Sequence, residues 1–413
     1  MPREPAERGR DRSRRSGRRA VGTLLCVCGL AGPASAQQRT EPPAPVAGAE
    51  WPELVRRFDA YMAADRVVGG SVALVRDGRI AARHDNGWAD VASRRLVDDS
   101  TLFHYGSITK TLTAIAIMQL RDRGLLSLDD PVVRRVPELR RLHDPYGRID
   151  SITVRMLLSH SAGFMNPTWP YRDAAWQPFE PTSWDQLVAM MPYQRLHFTP
   201  GSRYGYSNPA FIYLARIIEQ LAGDPWQSYI QKHLFMPLGL HRSYFGTTPP
   251  HLAPHRSHGY DIVIDANGRD SIIDNGAEFD PGITIPNGGW NAPLGDLARY
   301  VAFLTAAPGA DIDPERVLAR GSLEEMWQPV VAVAPDSAEV MGLSFFLRRA
   351  PQQATLVGHT GTQAGFRTFL YFNPANRTGI ILAFNTSHER NPGAAALEDL
   401  LAQTFSVLRG GVD

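Results

Sequence analysis

Apolar positions recur at helical spacing over residues 52–64 (Val55, Phe58, Tyr61, Met62), which predicts a first helix. Two short runs follow at 71–76 and 79–83, on either side of Asp77-Gly78, a dipeptide suited to a tight hairpin turn. The strongest helical pattern covers 107–123. Between Leu112 and Leu120 its apolar residues nearly encircle the axis, so this helix is expected to be buried, and Gly124 and Pro131 mark its end. Segments 152–159, 184–191, 210–222, 226–235, 294–306 and 322–328 read as further helices, and Asn267-Gly268 joins a second hairpin between 260–264 and 270–273. Strands return at 342–348, 355–358, 367–372 and 379–385, and 394–408 closes as a helix. Strands at both ends with helices between them imply an α/β (α+β) body. Its α/β lobe is discontinuous, 51–105 and 286–410, a mainly helical lobe of 106–285 is inserted, and 51–410 together make one domain. A cleft between two lobes is the natural place for a site.

Ahead of residue 51 the pattern is different. Residues 1–19 hold eight arginines against Glu4, Glu7 and Asp11, an apolar run covers 20–32, and Ala34-Ser35-Ala36 follows. Basic region, short apolar core and small-residue site describe a secretory signal peptide over 1–36, and the run is too short to span a bilayer comfortably. Arg18-Arg19 leaves both the general secretory and the twin-arginine route open. Residues 37–50 are a proline-rich linker. Both cysteines, Cys26 and Cys28, lie in the leader, so the exported chain is expected to have no disulfide. This reads as a bacterial periplasmic or secreted protein with no stable membrane span and no obligate protein partner. The formal charge of +1 becomes −4 without the leader, 35 basic against 39 acidic residues, and no basic cluster remains that would suggest nucleic acid.

The buried helix opens on Gly106-Ser107-Ile108-Thr109-Lys110. Ser107 and Lys110 stand three residues apart, close enough on a helix for their side chains to meet. A serine hydroxyl is a poor nucleophile until a base takes its proton, and a neutral lysine amine can do so. The helix N-terminus favours negative charge on the serine and weakens the amine's hold on its proton. Serine is also a good N-cap, so the pair alone has a purely structural reading. Composition weighs against that reading: of 43 basic residues only Lys110 and Lys232 are lysine, and the other 41 are arginine, which stays protonated and cannot serve as a base.

Two more stretches carry candidate chemistry. Tyr206-Ser207-Asn208 lies between Gly205 and Pro209 just before a helix. The phenol can move a proton to a leaving group and the amide can hold an acyl carbonyl, although the same residues are good turn formers. His359-Thr360-Gly361-Thr362 ends a short strand, where glycine admits a close approach and the imidazole and hydroxyl can bind a carboxylate.

In this order the three motifs, Ser107-x-x-Lys110, Tyr206-x-Asn208 and His359-Thr360-Gly361, resemble those of the serine β-lactamase and penicillin-binding superfamily. The branch is that of the class C β-lactamases and their DD-peptidase, esterase and D-amino-acid peptidase relatives. The runs 101–107, 124–131, 157–163 and 237–239 are similar too, so the resemblance extends from about residue 51 to 405. It implies an antiparallel sheet flanked by helices with an inserted helical lobe and an active site in the cleft between them. It implies that Ser107 attacks an acyl carbon, Lys110 and Tyr206 share the proton transfers, and Asn208 positions the acyl group. The backbone N–H groups of Ser107 and Thr362 then hold the oxyanion, and His359, Thr360 and Gly361 bind substrate. No metal or cofactor is implied. The substrate is a small molecule or peptide with an ester, amide or D-Ala-D-Ala-type bond; the alternatives are a true class C-like β-lactamase, or a penicillin-acylated binder or scaffold without useful turnover. Efficient β-lactamases usually carry lysine where this chain has His359, and histidine is only fractionally charged at neutral pH. No Gly-x-Ser-x-Gly elbow is present, which argues against an α/β-hydrolase.

Other stretches read as structural. The aromatic run 168–184 packs over the helical lobe or lines an acyl pocket. Prolines interrupt the segment holding His251, His255 and His258, which argues against a metal site. His160 fixes a turn after its helix, and Lys232 is a solvated helix residue.

Overall fold

The computed structural model of the protein describes residues 48–165, 181–265, 267–307, 313–335, 337–349 and 352–410; the expected leader, most of the linker and most of the aromatic run lie outside them. Five longer helices are used as landmarks: α1 (Trp51–Ala64), α2 (Thr109–Asp122), α3 (Asn208–Ala222), α4 (Leu294–Leu304) and α5 (Ala394–Arg409). The principal sheet has nine strands. They are β1 (Gly69–Arg76), β2 (Arg79–Asp90), β3 (Arg95–Leu96), β4 (Val331–Ala332), β5 (Glu339–Met341), β6 (Phe346–Arg348), β7 (Leu356–Gln363), β8 (Phe366–Asn373) and β9 (Thr378–Phe384). Their spatial order is β3-β2-β1-β9-β8-β7-β6-β5-β4, with every neighbouring pair antiparallel.

The first and last strands of the sheet therefore meet at its centre, where β1 pairs with β9 from Gly70↔Phe384 to Arg76↔Thr378. Both strands are apolar on both faces because helices cover both. Val72 and Leu74 of β1 and Leu382 and Phe384 of β9 join α1 and α5 in one core. Their neighbours Ala73, Val75, Ile381 and Ala383 face the other core, which includes α2, α3 and α4. A slip of one residue would exchange the two sets, so burial on both sides fixes the register. The turn between β1 and β2 has positive φ at both Asp77 and Gly78 (46° and 79°), the backbone that an Asp-Gly hairpin favours.

Smaller sheets surround the helical segments. Leu102–His104 pairs with Asn291–Pro293, and the hairpin of Tyr260–Ile264 and Asp270–Asp274 pairs in parallel with Thr386–His388. Among the described residues no helix is long and apolar enough to cross a membrane.

Several elements differ from the sequence expectation; β2 runs to Asp90 instead of 83, and the short strands β3, β4 and β5 were not expected. The α-helix of the serine motif starts at Thr109, because Thr109 and Lys110 donate to the carbonyls three residues back, Gly106 and Ser107, and tighten the first turn. At its other end Leu125 N–H reaches Leu120 O and Gly124 N–H reaches Arg121 O, with Gly124 at φ +72°, a Schellman ending. The run 342–348 is a strand only from Phe346, since Leu343 and Ser344 N–H groups are taken by the carbonyls of Met326 and Leu158. The helix 226–235 is α only to Ile230 and then a π turn over Gln231–Phe235. Pro237 lacks an N–H and would clash with the His233 carbonyl in a regular helix; that carbonyl accepts from Gln119 Nε2 at 3.2 Å instead. Finally, β7 runs to Gln363, well past residue 358, so the third motif lies within a strand.

Leu382 has no solvent exposure and packs in the α1/α5 core. Leu382→Ala is expected to lower the unfolding free energy by about 2–5 kcal/mol, measured by urea titration with an unchanged m-value.

Candidate active site

Helix α2 is buried from Thr109 to Met118, yet three of those residues are threonines. Each hydroxyl is used. Thr109 Oγ1 donates to Gly106 O at 2.6 Å and accepts from Trp290 N–H at 3.0 Å. Thr113 Oγ1 donates to Pro286 O at 2.7 Å, and the Tyr300 hydroxyl lies 2.8 Å from Thr111 Oγ1. These bonds lace the helix to the segment 286–290 and to α4, so its first turn is held from two sides.

Lys110 is fully buried. Its Nζ lies 3.0 Å from Ser107 Oγ and donates to the Asn287 carbonyl at 2.8 Å. The rings of Tyr206 and Phe211 cover it, with centroids 5.0 and 5.6 Å away. Burial holds the amine's pKa well below its ordinary value, because a charged ammonium loses its hydration there. In its uncharged form, which burial favours, the amine has a lone pair that can accept the Ser107 proton. Ser107 itself is partly exposed.

Ser207 caps α3 by accepting from Ala210 N–H, so Asn208 opens the helix and Tyr206 stands just before it. The Tyr206 phenol is also hydrogen-bonded to Ser107, and burial raises its pKa. The Asn208 carbonyl accepts from Asn287 Nδ2 at 3.2 Å. Asn287 therefore touches both halves of the site, through its carbonyl to Lys110 and its amide to Asn208.

Only the first residues of β7 pair with β6, ending at Phe346↔Gly358. From His359 to Gln363 the strand bonds to β8 alone, and its other edge faces the turn before the serine. The approach is close enough to demand glycine on both sides. A Cβ on Gly361 would lie 2.0 Å from Tyr105 O, and one on Gly106, whose φ is +49°, would lie 3.0 Å from Thr362 N. The serine turn and the backbone of Thr362 are thus adjacent. His104 adds a side-chain tie. Its ring, held neutral with a pKa near 4 by burial and by Arg256, lies 2.9 Å from Asn291 Oδ1 and 3.2 Å from Gln363 Oε1.

His359 is 1% exposed and its Nδ1–H donates to Thr360 O at 2.6 Å. Burial and then Lys110 push its pKa down to about 3, so the fractional charge expected from the sequence gives way to a neutral ring. That ring lies between Tyr206 and Phe346, at centroid distances of 6.4 and 5.2 Å. Thr360 is half-buried and the Thr362 side chain is exposed.

Of the motif residues, Lys110 and Tyr206 bond to Ser107, His359 packs beside Tyr206, the Asn208 backbone is tied in through Asn287, and Gly361 and Thr362 lie against the turn before the serine. Those not singled out from the sequence are Asn287, Phe211 and His104, and His160 appeared only as a turn former. The Pro-Asn-Gly-Gly run at 286–289 was the available signal for Asn287. Elsewhere, His255 Nδ1 pairs with Ser100 Oγ at 2.8 Å and His258 Nδ1 with Asp274 at 2.9 Å, while Lys232 makes an exposed ion pair with Asp224 at 2.8 Å.

Comparison with known proteins places the chain among the serine β-lactamases and penicillin-binding proteins. Residues 54–404 match the Beta-lactamase family, and the chain belongs to it. Penicillin-binding protein 4* of Bacillus subtilis (strain 168) is 26% identical over 353 residues, covering 82% of this chain and 73% of that protein. Protein flp of Staphylococcus aureus (strain MW2) is 25% identical over 326 residues, 79% of this chain, which spans only 61% of that relative's length. Among solved structures, the octameric penicillin-binding protein homologue from Pyrococcus abyssi matches with a TM-score of 0.68 and 26% identity, over 87% of this chain and 79% of that one. A class C beta-lactamase matches with a TM-score of 0.67 over 86% and 96% of the two chains; at 19% identity the likeness is one of fold. The fold implied by the motifs is the fold observed.

Replacing Lys110 by arginine keeps a cation but removes the base and forces a guanidinium into a slot without water. Lys110→Arg is expected to lower kcat/KM on an ester by roughly 10²–10⁴-fold or more, close to Ser107→Ala. Retention of more than about a tenth of wild-type kcat/KM would take Lys110 out of the base role.

Proposed function

We propose that the protein is an exported serine acyl hydrolase of esterase or carboxypeptidase type, acting on an ester, amide or D-Ala-D-Ala-type peptide bond. The observation that carries this reading is the desolvated Lys110 amine 3.0 Å from Ser107 Oγ. In the proposed reaction Ser107 Oγ attacks the acyl carbon as its proton passes to Lys110. The oxyanion is held by the N–H groups of Ser107 and Thr362, a role supported by the contact between Gly106 and Thr362. Tyr206 gives its phenol proton to the leaving alcohol or amine and regains one from Lys110, which restores the free amine. Water then cleaves the acyl-serine, giving a carboxylic acid and restoring the hydroxyl. Asn208 holds the acyl side, and His359, Thr360 and Gly361 line the strand edge along which the rest of the substrate lies. Residues 1–36 are the export signal in this reading, 37–50 a linker, and 51–410 the catalytic body.

The neutral His359 supports slow rather than efficient β-lactam turnover. A buried imidazole with a pKa near 3 contributes no positive charge to hold a β-lactam carboxylate.

The chain from residue 37 onward should release product from a short acyl ester in a burst followed by a slower steady rate when deacylation limits. With a penicillin, intact-mass spectrometry should show an adduct on Ser107 that persists for minutes or longer. Folded protein with neither ester turnover nor any Ser107 adduct would overturn the hydrolase reading in favour of a scaffold.

His359→Lys puts a longer, more basic side chain at this position; where its ammonium extends into the open cleft the charge is worth about 1 kcal/mol at 4 Å in water and a few times that where water is partly excluded. The ratio of kcat/KM for a carboxylated β-lactam over a neutral ester should rise by roughly fivefold or more. An unchanged ratio would show that residue 359 does not face the substrate.

A further inference from the structure

The proposed acid–base role of Tyr206 puts a demand on a segment ill-suited to meet it. Residues 201–207 form neither helix nor strand, yet the phenol has to keep one orientation over Lys110 and Ser107. We infer that His160 is the positioning residue for Tyr206, an inference that rests on the reading of Tyr206 given above. The residues on both sides of the tyrosine donate to it: Gly205 N–H to the His160 carbonyl at 2.8 Å and Ser207 N–H to its Nδ1 at 3.1 Å. Its ring lies against the phenol, centroids 4.5 Å apart at 28°. One residue thus holds the backbone before Tyr206, the backbone after it and the face of its ring.

His160 is itself tightly held. It follows the short helix Val154–Leu158, where Ser161 N–H returns to Met156 O at 2.9 Å. Its φ is +55°, and it is 1% exposed. Phe211 packs on it with centroids 5.2 Å apart, and Tyr204 meets it edge-on at 5.9 Å. Because Nδ1 accepts a hydrogen bond, the single ring proton sits on Nε2. Burial, with Lys110 and His359 nearby, holds the pKa well below its ordinary value, so the ring stays neutral and Nδ1 stays an acceptor.

Few side chains could do all of this. The left-handed backbone favours Asn, Asp, Gly or His among the twenty residues. Of these only histidine adds a flat ring to an acceptor one bond from Cγ. Asparagine supplies the acceptor without the full ring, and phenylalanine supplies the ring without the acceptor. Among the described residues His160 makes no hydrogen bond to Ser107 or Lys110, so its effect passes through Tyr206.

The test is steady-state hydrolysis of a short neutral ester by His160→Ala, His160→Asn and Tyr206→Phe, alone and combined. Misplacement of a reacting group by about 1 Å costs roughly 10²-fold, so His160→Ala should lower kcat about 100-fold with KM within about threefold. His160→Asn, which keeps an acceptor in the place of Nδ1, should recover at least about tenfold of that loss. In the Tyr206→Phe background His160→Ala should cost no more than about threefold, because the route is already cut. A folded His160→Ala protein with wild-type kcat beside an impaired Tyr206→Phe overturns this inference alone. So does a loss that multiplies in full in the double variant, which would make His160 a structural residue acting on folding at large. If Tyr206→Phe is as active as wild type, the role of Tyr206 and this inference fall together. Should His160→Ala fail to fold, His160→Asn and His160→Phe carry the test: full kcat in both overturns it, and a fall in His160→Phe that His160→Asn does not share supports it.

Discussion

Burial around the Lys110 amine lowers its pKa well below the ordinary value, and the rest of the site is arranged around that enclosure. The amine's neighbours come from three separate stretches: Ser107 in the same turn, the Asn287 carbonyl, and the segment entering α3 with the rings of Tyr206 and Phe211. A lysine buried like this weakens the fold, because an ammonium ion would be far better solvated outside. The surrounding polar groups offset part of that loss. The threonines of α2 tie the helix to 286–290 and to α4, and the Asn287 amide ties the same segment to the start of α3.

The sheet supplies the other half of the site. Because β1 and β9 are covered on both faces, the centre of the sheet is rigid, and β7 is carried two strands away from it at a fixed distance from α2. Its unpaired edge comes up against the serine turn through Gly361 and Gly106. A methyl group at either position would push the strand and the turn apart. The contact therefore depends on what is missing from two side chains, while the contact at Lys110 depends on what surrounds one.

The elements with a strong period were legible in the sequence. α1, the body of α2, the turn of the β1–β2 hairpin and β9 lie where the apolar spacing put them, because each buries its apolar residues in the core. Ser107 and Lys110 stood out for a chemical reason, a lysine in a chain that otherwise uses arginine. Legibility failed where neighbours distant in sequence decide the outcome. The strand β7 was read too short because its second half has no apolar alternation, its partner being a cleft on one side. The break in the helix after Ile230 follows from Pro237, several residues on. Asn287 acts largely through its backbone carbonyl, which no side-chain pattern announces, and His160 looked like any turn residue until the loop carrying Tyr206 was seen folded onto it.

The enclosure of Lys110 also means that reactivity is created by folding and is absent from the chain beforehand. In an unfolded polypeptide the amine is protonated at neutral pH and Ser107 is an ordinary hydroxyl. Any opening that lets water reach the amine raises its pKa back toward the ordinary value. The environment that lowers the proton affinity of Lys110 thus exists only in the folded chain, and a copy that has not closed around this amine carries an ordinary lysine there.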